Sequence, residues 1–134
     1  MKEILELLDN IGQEIWMIST PNRRKEIEAI LSVEKYKNIK ILPPTNFYEA
    51  IEFIRRCELL ISPNTALIHV ASIYNKKIIG LYSNLKWHTE LWKPTVDEYE
   101  LIIPKKEALS TDDLGEINSR KIKEAFIRLL KLED

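Results

Sequence analysis

Apolar residues recur along the chain at two spacings by turns, one suited to helices and one to short buried strands. Ile4, Leu5, Leu8 and Ile11 form a helical stripe that Gly12 ends. Residues 14–19 predict a first strand, and Thr20-Pro21-Asn22 turns into a helix marked by Ile27, Ile30 and Leu31. Residues 39–42 predict a second strand, followed by a helix over 46–56 capped by Asn46 or Thr45. The apolar run 58–61, bounded by Ser-Pro-Asn, reads as a strand covered on both faces. A helix follows it at once and closes at Asn75, a residue suited to the left-handed conformation. Residues 77–82 and 100–103 supply two more strands, and 104–118 form the main loop. The last helix starts near Ser119 and places Ile122, Ala125, Phe126, Leu129 and Leu130 on one face. Strands alternating with helices predict an α/β fold, a parallel sheet sandwiched between helices.

The candidate chemistry lies between Cys57 and Ser72, where a strand turns sharply into a helix. Either Ser62 caps that helix with Pro63 at its first position, or Asn64 caps it one step later. Both options leave backbone N–H groups of Asn64, Thr65 and Ala66 at a helix N-terminus beyond the carboxyl end of a strand. Open α/β sheets bind ligands there, and the N–H groups with the helix dipole favour a phosphate. His69 follows Ala66 by one helical turn.

Composition narrows the classes. The 134 residues suffice for a single core and a single domain. A net charge of -1 gives no electrostatic reason to bind nucleic acid, and Arg23-Arg24-Lys25 and Arg55-Arg56 read as solvated helix faces. One cysteine excludes an internal disulfide and a multi-cysteine zinc site, and Cys57 reads as a small buried hydrophobe at a helix end. The three scattered glycines permit neither a dinucleotide fingerprint nor a Walker loop. No apolar run reaches membrane-spanning length, which leaves at most peripheral membrane association. Trp16, Trp87 and Trp92 read as core or interface residues.

The segment Asn64-Thr65-Ala66-Leu67-Ile68-His69-Val70-Ala71-Ser72 resembles the Asp-Thr-Gly-x-x-His-Leu-Ala-Ala signature of glycosyltransferase family 9, the heptosyltransferase-like enzymes, in their C-terminal domain. Asn75-Lys76-Lys77-Ile78-Ile79-Gly80-Leu81-Tyr82 resembles the strand that follows, and Trp92-Lys93-Pro94 the later Trp-x-Pro. Ile41-Leu42-Pro43-Pro44-Thr45-Asn46 resembles the loop lining the nucleotide pocket. The chain departs from the pattern where Asn64 replaces a carboxylate, Ala66 a glycine, Lys77 a proline and Ser83 a glycine.

The resemblance implies the Rossmann-like C-terminal half of a GT-B fold, a single nucleotide-sugar donor-binding domain over residues 1–134. It implies a cytoplasmic enzyme, at most peripheral to the inner membrane, transferring sugar from an ADP-heptose-like donor to lipopolysaccharide or another surface glycan. Asn64, Thr65, Ala66 and His69 would hold the donor's diphosphate and sugar, and Thr45 would line the nucleotide pocket. No cofactor or metal is implied. The acceptor and the catalytic base belong to an N-terminal domain that the chain lacks or to a partner chain, so no catalytic residue is assigned here. A strand and loop that precede residue 2 in the family have no counterpart, which implies an uncovered sheet edge and a homodimer. The alternative is a non-catalytic nucleotide-binding or scaffold module.

Overall fold

The structure, a computed structural model, describes residues 2–34, 36–63, 65–108, 110 and 117–132. Its contacts divide the chain into two compact units, Met1–Ala50 and Ile51–Asp134.

The first unit contains helix α1 (Lys2–Asp9), strand β1 (Ile15–Met17), helix α2 (Pro21–Glu34), strand β2 (Ile39–Ile41) and the start of helix α3 (Phe47–Arg56). β1 and β2 pair in parallel, with Ile15 opposite Ile39 and Met17 opposite Ile41. Leu5, Leu8, Ile27, Ile39 and Leu42 are buried, so the helical stripes read from the sequence do face a core. Gly12, at φ 88°, turns the chain out of α1 as only glycine does freely. The end of α1 also fixes the start of β2, because the Asp9 carboxylate accepts from the N–H groups of Lys37 (3.2 Å) and Asn38 (2.7 Å). At the start of α3, Asn46 Oδ1 accepts from Glu49 N–H at 2.8 Å and Glu49 Oε1 accepts from Asn46 N–H at 3.0 Å. This reciprocal pair is a capping box, which settles the cap on Asn46 over Thr45.

The second unit holds the rest of α3, then strand β3 (Leu59–Pro63), helix α4 (Ala66–Ile73), strand β4 (Lys77–Leu81), helix α5 (Lys86–Trp92), strand β5 (Tyr99–Ile102) and helix α6 (Ser119–Leu130). The strands run parallel in the order β3-β4-β5, Leu60 opposite Ile78 and Ile78 opposite Tyr99. α4 packs on β3 and β4, and α6 on β4 and β5. The core gathers Ile54, Ile68, Val70, Ala71, Ile78 and Tyr82. After Lys77, central β4 is apolar throughout, as suits a strand covered on both faces. These helices and parallel ladders make an α/β, Rossmann-like fold.

Three expectations change. Among the described residues the strands form two sheets, β1-β2 and β3-β4-β5. The helix at 86–92 was not expected; it is seven residues long and its N-cap, Leu85, makes no side-chain cap bond. The third change concerns the cap of α4. Pro63 pairs with Leu81 as the last residue of β3, so it does not open a helix, and Thr65 rather than Ser62 or Asn64 is the N-cap. Residues 109 and 111–116 of the expected loop, like Asn64, lie outside the described residues.

Candidate functional site

The turn between β3 and α4 is built on three hydroxyl and amide partners in series. Ser62, buried at the end of β3, donates its hydroxyl hydrogen to Pro63 O at 2.9 Å. A hydroxyl has one hydrogen, so at the 3.2 Å contact between Ser62 Oγ and Thr65 Oγ1 the threonine is the donor. Thr65, extended at φ −133° and ψ 175°, then accepts from Leu67 N–H at 3.3 Å. Thr65 O takes Ile68 N–H at 3.1 Å. The Thr65 hydroxyl is thus engaged as donor and acceptor in holding the turn. Of the four N–H groups that a helix start leaves over, the cap takes those of Leu67 and Ile68, and those of Thr65 and Ala66 have no partner among the described residues. Both residues are exposed, beyond the carboxyl end of β3.

Four residues after Thr65, His69 is exposed and meets Trp92 edge-on, ring centroids 6.0 Å apart at 70°. The Trp92 carbonyl is anchored from behind. Tyr82, fully buried, donates its hydroxyl hydrogen to Trp92 O at 2.5 Å, and Pro94 is buried two residues on. Burial pushes the Tyr82 phenol up to about 12, so it stays a donor at neutral pH. Beside it, Ser83 Oγ lies 3.2 Å from Nδ1 of His88, both side chains buried. None of the three tryptophans is buried: Trp16, Trp87 and Trp92 are 39%, 53% and 47% exposed, which removes the core half of the core-or-interface expectation.

Thr45 lies in the first unit, where it lines a hollow of about 290 Å³ with Ser19, Pro21, Arg24, Lys25 and Pro44. That hollow also sits past the carboxyl ends of its strands, and Arg24 is held there by Leu42 O (2.6 Å) and Glu28 (2.8 Å). The larger hollow of about 640 Å³ belongs to the second unit and lies at the amino ends of β3, β4 and β5, around Glu58, Lys76 and Glu98. It is at the wrong end of the sheet for an α/β ligand site. Cys57, on its rim, is half-buried with its thiol pushed up by burial, as suits a structural cysteine.

The family model of glycosyltransferase family 9 (heptosyltransferase) matches residues 1–116. The chain belongs to glycosyltransferase family 9. Two solved structures share its fold at TM-score 0.75. One is the ADP-heptose lipopolysaccharide heptosyltransferase II of E. coli, 19% identical, covering 97% of this chain and 40% of its own. The other is the E. coli heptosyltransferase WaaC with ADP, 14% identical, covering 96% and 38%. The chain therefore spans about 40% of the length of these relatives. No curated protein matches it. Two departures from the family 9 pattern have found local partners. Lys77 donates to Leu129 O near the end of α6 at 2.8 Å, and the Ser83 hydroxyl meets His88.

The sequence reading located Thr65, Ala66 and His69 together, and the second unit does bring them onto one turn of one helix. It missed Ser62 as the anchor of the cap and Tyr82 as the anchor of Trp92. The first has a local signal, a serine three residues before a threonine at a strand end. The second has none, since ten residues and a helix separate Tyr82 from Trp92.

Proposed function

We propose that this chain is the donor-binding part of a glycosyltransferase that moves a sugar from a nucleotide sugar to a surface glycan. The observation that supports it is the β3–α4 turn, whose cap takes two of the helix-start N–H groups and leaves two without a partner among the described residues. Such an end favours an anion by about 0.3–1 kcal/mol, and by about 2 when partly buried. Thr65 and Ala66 N–H groups would hold the diphosphate, and the charge that develops on the leaving group would be met by the same groups. His69 would reach the β-phosphate or the sugar, and the Asn64 amide would bond sugar hydroxyls. The donor is ADP-heptose-like, with no metal in the scheme. Sugar transfer further needs an acceptor hydroxyl and a base to take its proton. Those come from outside residues 1–134, in a protein acting at the cytoplasmic side of the inner membrane.

Calorimetric titration with ADP, UDP and GDP and their sugar conjugates tests this reading. One nucleoside diphosphate series binds saturably, and the chain alone transfers no sugar. Absence of binding by every series, or turnover by the purified chain, would overturn it.

A further inference from the structure

Trp92 is 47% exposed and stands edge-on to His69. An indole is the largest apolar side chain available, and its burial is ordinarily worth more than its presentation to water. Here the backbone beneath it is held in place. The Tyr82 hydroxyl takes Trp92 O, Lys93 continues in an extended conformation at φ −61° and ψ 153°, and Pro94 is buried. Tyr82 is itself fully buried, and its ring crosses Gly80 so closely that a Cβ there would stand 2.6 Å from Tyr82 Cε1. The backbone that carries the ring is thus tied down at the Trp92 carbonyl, and such anchoring helps to keep a binding group in place.

Its neighbour decides what it suits. His69 and Trp92 meet at 70° and form a corner with one flat apolar wall and one wall bearing ring nitrogens. A saturated sugar ring has an apolar C–H face and a rim of hydroxyls, and this corner matches both at once. The corner lies one helical turn, about 6 Å along the axis, from the Thr65 cap. A sugar joined to a diphosphate on that cap would reach it.

We propose that Trp92 carries the sugar ring of the donor and, with His69, selects which sugar is accepted. The inference rests on the donor-binding reading and adds a specificity-determining residue to it. Trp92 touches no leaving group and takes no proton, so its effect falls on sugar recognition alone.

The test compares each of ADP, UDP and GDP with its glucose conjugate on the wild-type chain, Trp92→Ala and Trp92→Phe, with melting temperature as the control for folding. Trp92→Ala is expected to weaken the sugar conjugate about 3- to 10-fold and leave the nucleoside diphosphate within twofold. Trp92→Phe restores most of the loss. The wild-type chain gives an independent readout: the Trp92 indole N–H resonance moves with the sugar conjugate and not with the diphosphate. Equal effects on both ligands, or none on either, would overturn the assignment of Trp92 while leaving donor binding in place. Failure of the wild-type chain to bind any diphosphate would remove the donor reading itself, and this assignment with it.

Discussion

Gly80 carries two demands at one position of β4. It must pair in register between Ser62 and Leu101, and it must leave room for the Tyr82 ring, which a Cβ would meet at 2.6 Å, and for Leu101 Cδ2 at 3.0 Å. Gly80→Ala is therefore expected to destabilise the chain by about 1–3 kcal/mol, read as a lower melting temperature, because the buried tyrosine has no free volume to move into. Tyr82 itself makes stability depend on alkaline pH. Its phenol is raised from 10.0 to about 12 in the folded chain by burial, with Tyr99 adding to the shift. Below pH 10 the group is neutral in both states and its contribution is complete. Between pH 10 and 12 the unfolded chain ionises first, so stability falls as pH rises. Melts from pH 8 to 11.5 should show that fall, and Tyr82→Phe should reduce its slope. At the turn, Thr65→Val removes the cap oxygen and is expected to cost about 1 kcal/mol, whereas Thr65→Ser keeps it. Diphosphate affinity should follow the same order. The sequence showed that Thr65 and Ala66 stand at a helix N-terminus, since Pro and Asn after an apolar run signal a turn. It did not show that Thr65 spends its hydroxyl on Ser62 and Leu67, because that depends on where β3 stops.

Helices with end signals or an apolar stripe were legible, and the short one with neither was not. α3 has its capping box, Glu49 in its first turn and Arg55 and Arg56 in its last, so local chemistry and the helix dipole agree. Asn46→Ala should cost about 1 kcal/mol, seen as a lower melting temperature and as loss of amide protection in the first turn of α3. On the same helix Glu52 bonds Arg55 at 2.5 Å and Arg56 at 3.0 Å, and those partners hold its carboxyl down to about 2. Its contribution is present above the unfolded value of 4.5 and is lost as pH falls toward 2. The group is exposed, so salt weakens the effect. α6 was read correctly from its apolar spacing, and Asn75 does adopt the left-handed conformation at φ 50°. α5 escaped the sequence reading for a physical reason. It is too short to show a periodicity, its cap has no side-chain bond, and its tie to Tyr82 is long-range.

At the scale of the whole molecule, the α/β class and the parallel pairing followed from the order of apolar runs, since parallel strands require helical crossovers. No change of composition marks the boundary between the compact units Met1–Ala50 and Ile51–Asp134. No helix among the described residues is long and apolar enough to cross a membrane. Large apolar side chains do reach the surface in both units, among them Tyr48 at 81%, Ile73 at 79% and Leu91 at 70% exposed. Sedimentation should accordingly show concentration-dependent self-association of the isolated chain.

The central claim is that a nucleoside diphosphate binds at the β3–α4 turn through backbone N–H groups. Titration of the ¹⁵N-labelled chain with ADP, UDP and GDP, followed by amide resonances, tests this most directly. The expected result is saturable movement of the Thr65, Ala66 and Leu67 amides with at least one of the three, larger than at any residue of the opposite hollow around Lys76 and Glu98. Movement confined to that opposite hollow, or no saturable movement at millimolar nucleotide, would contradict it.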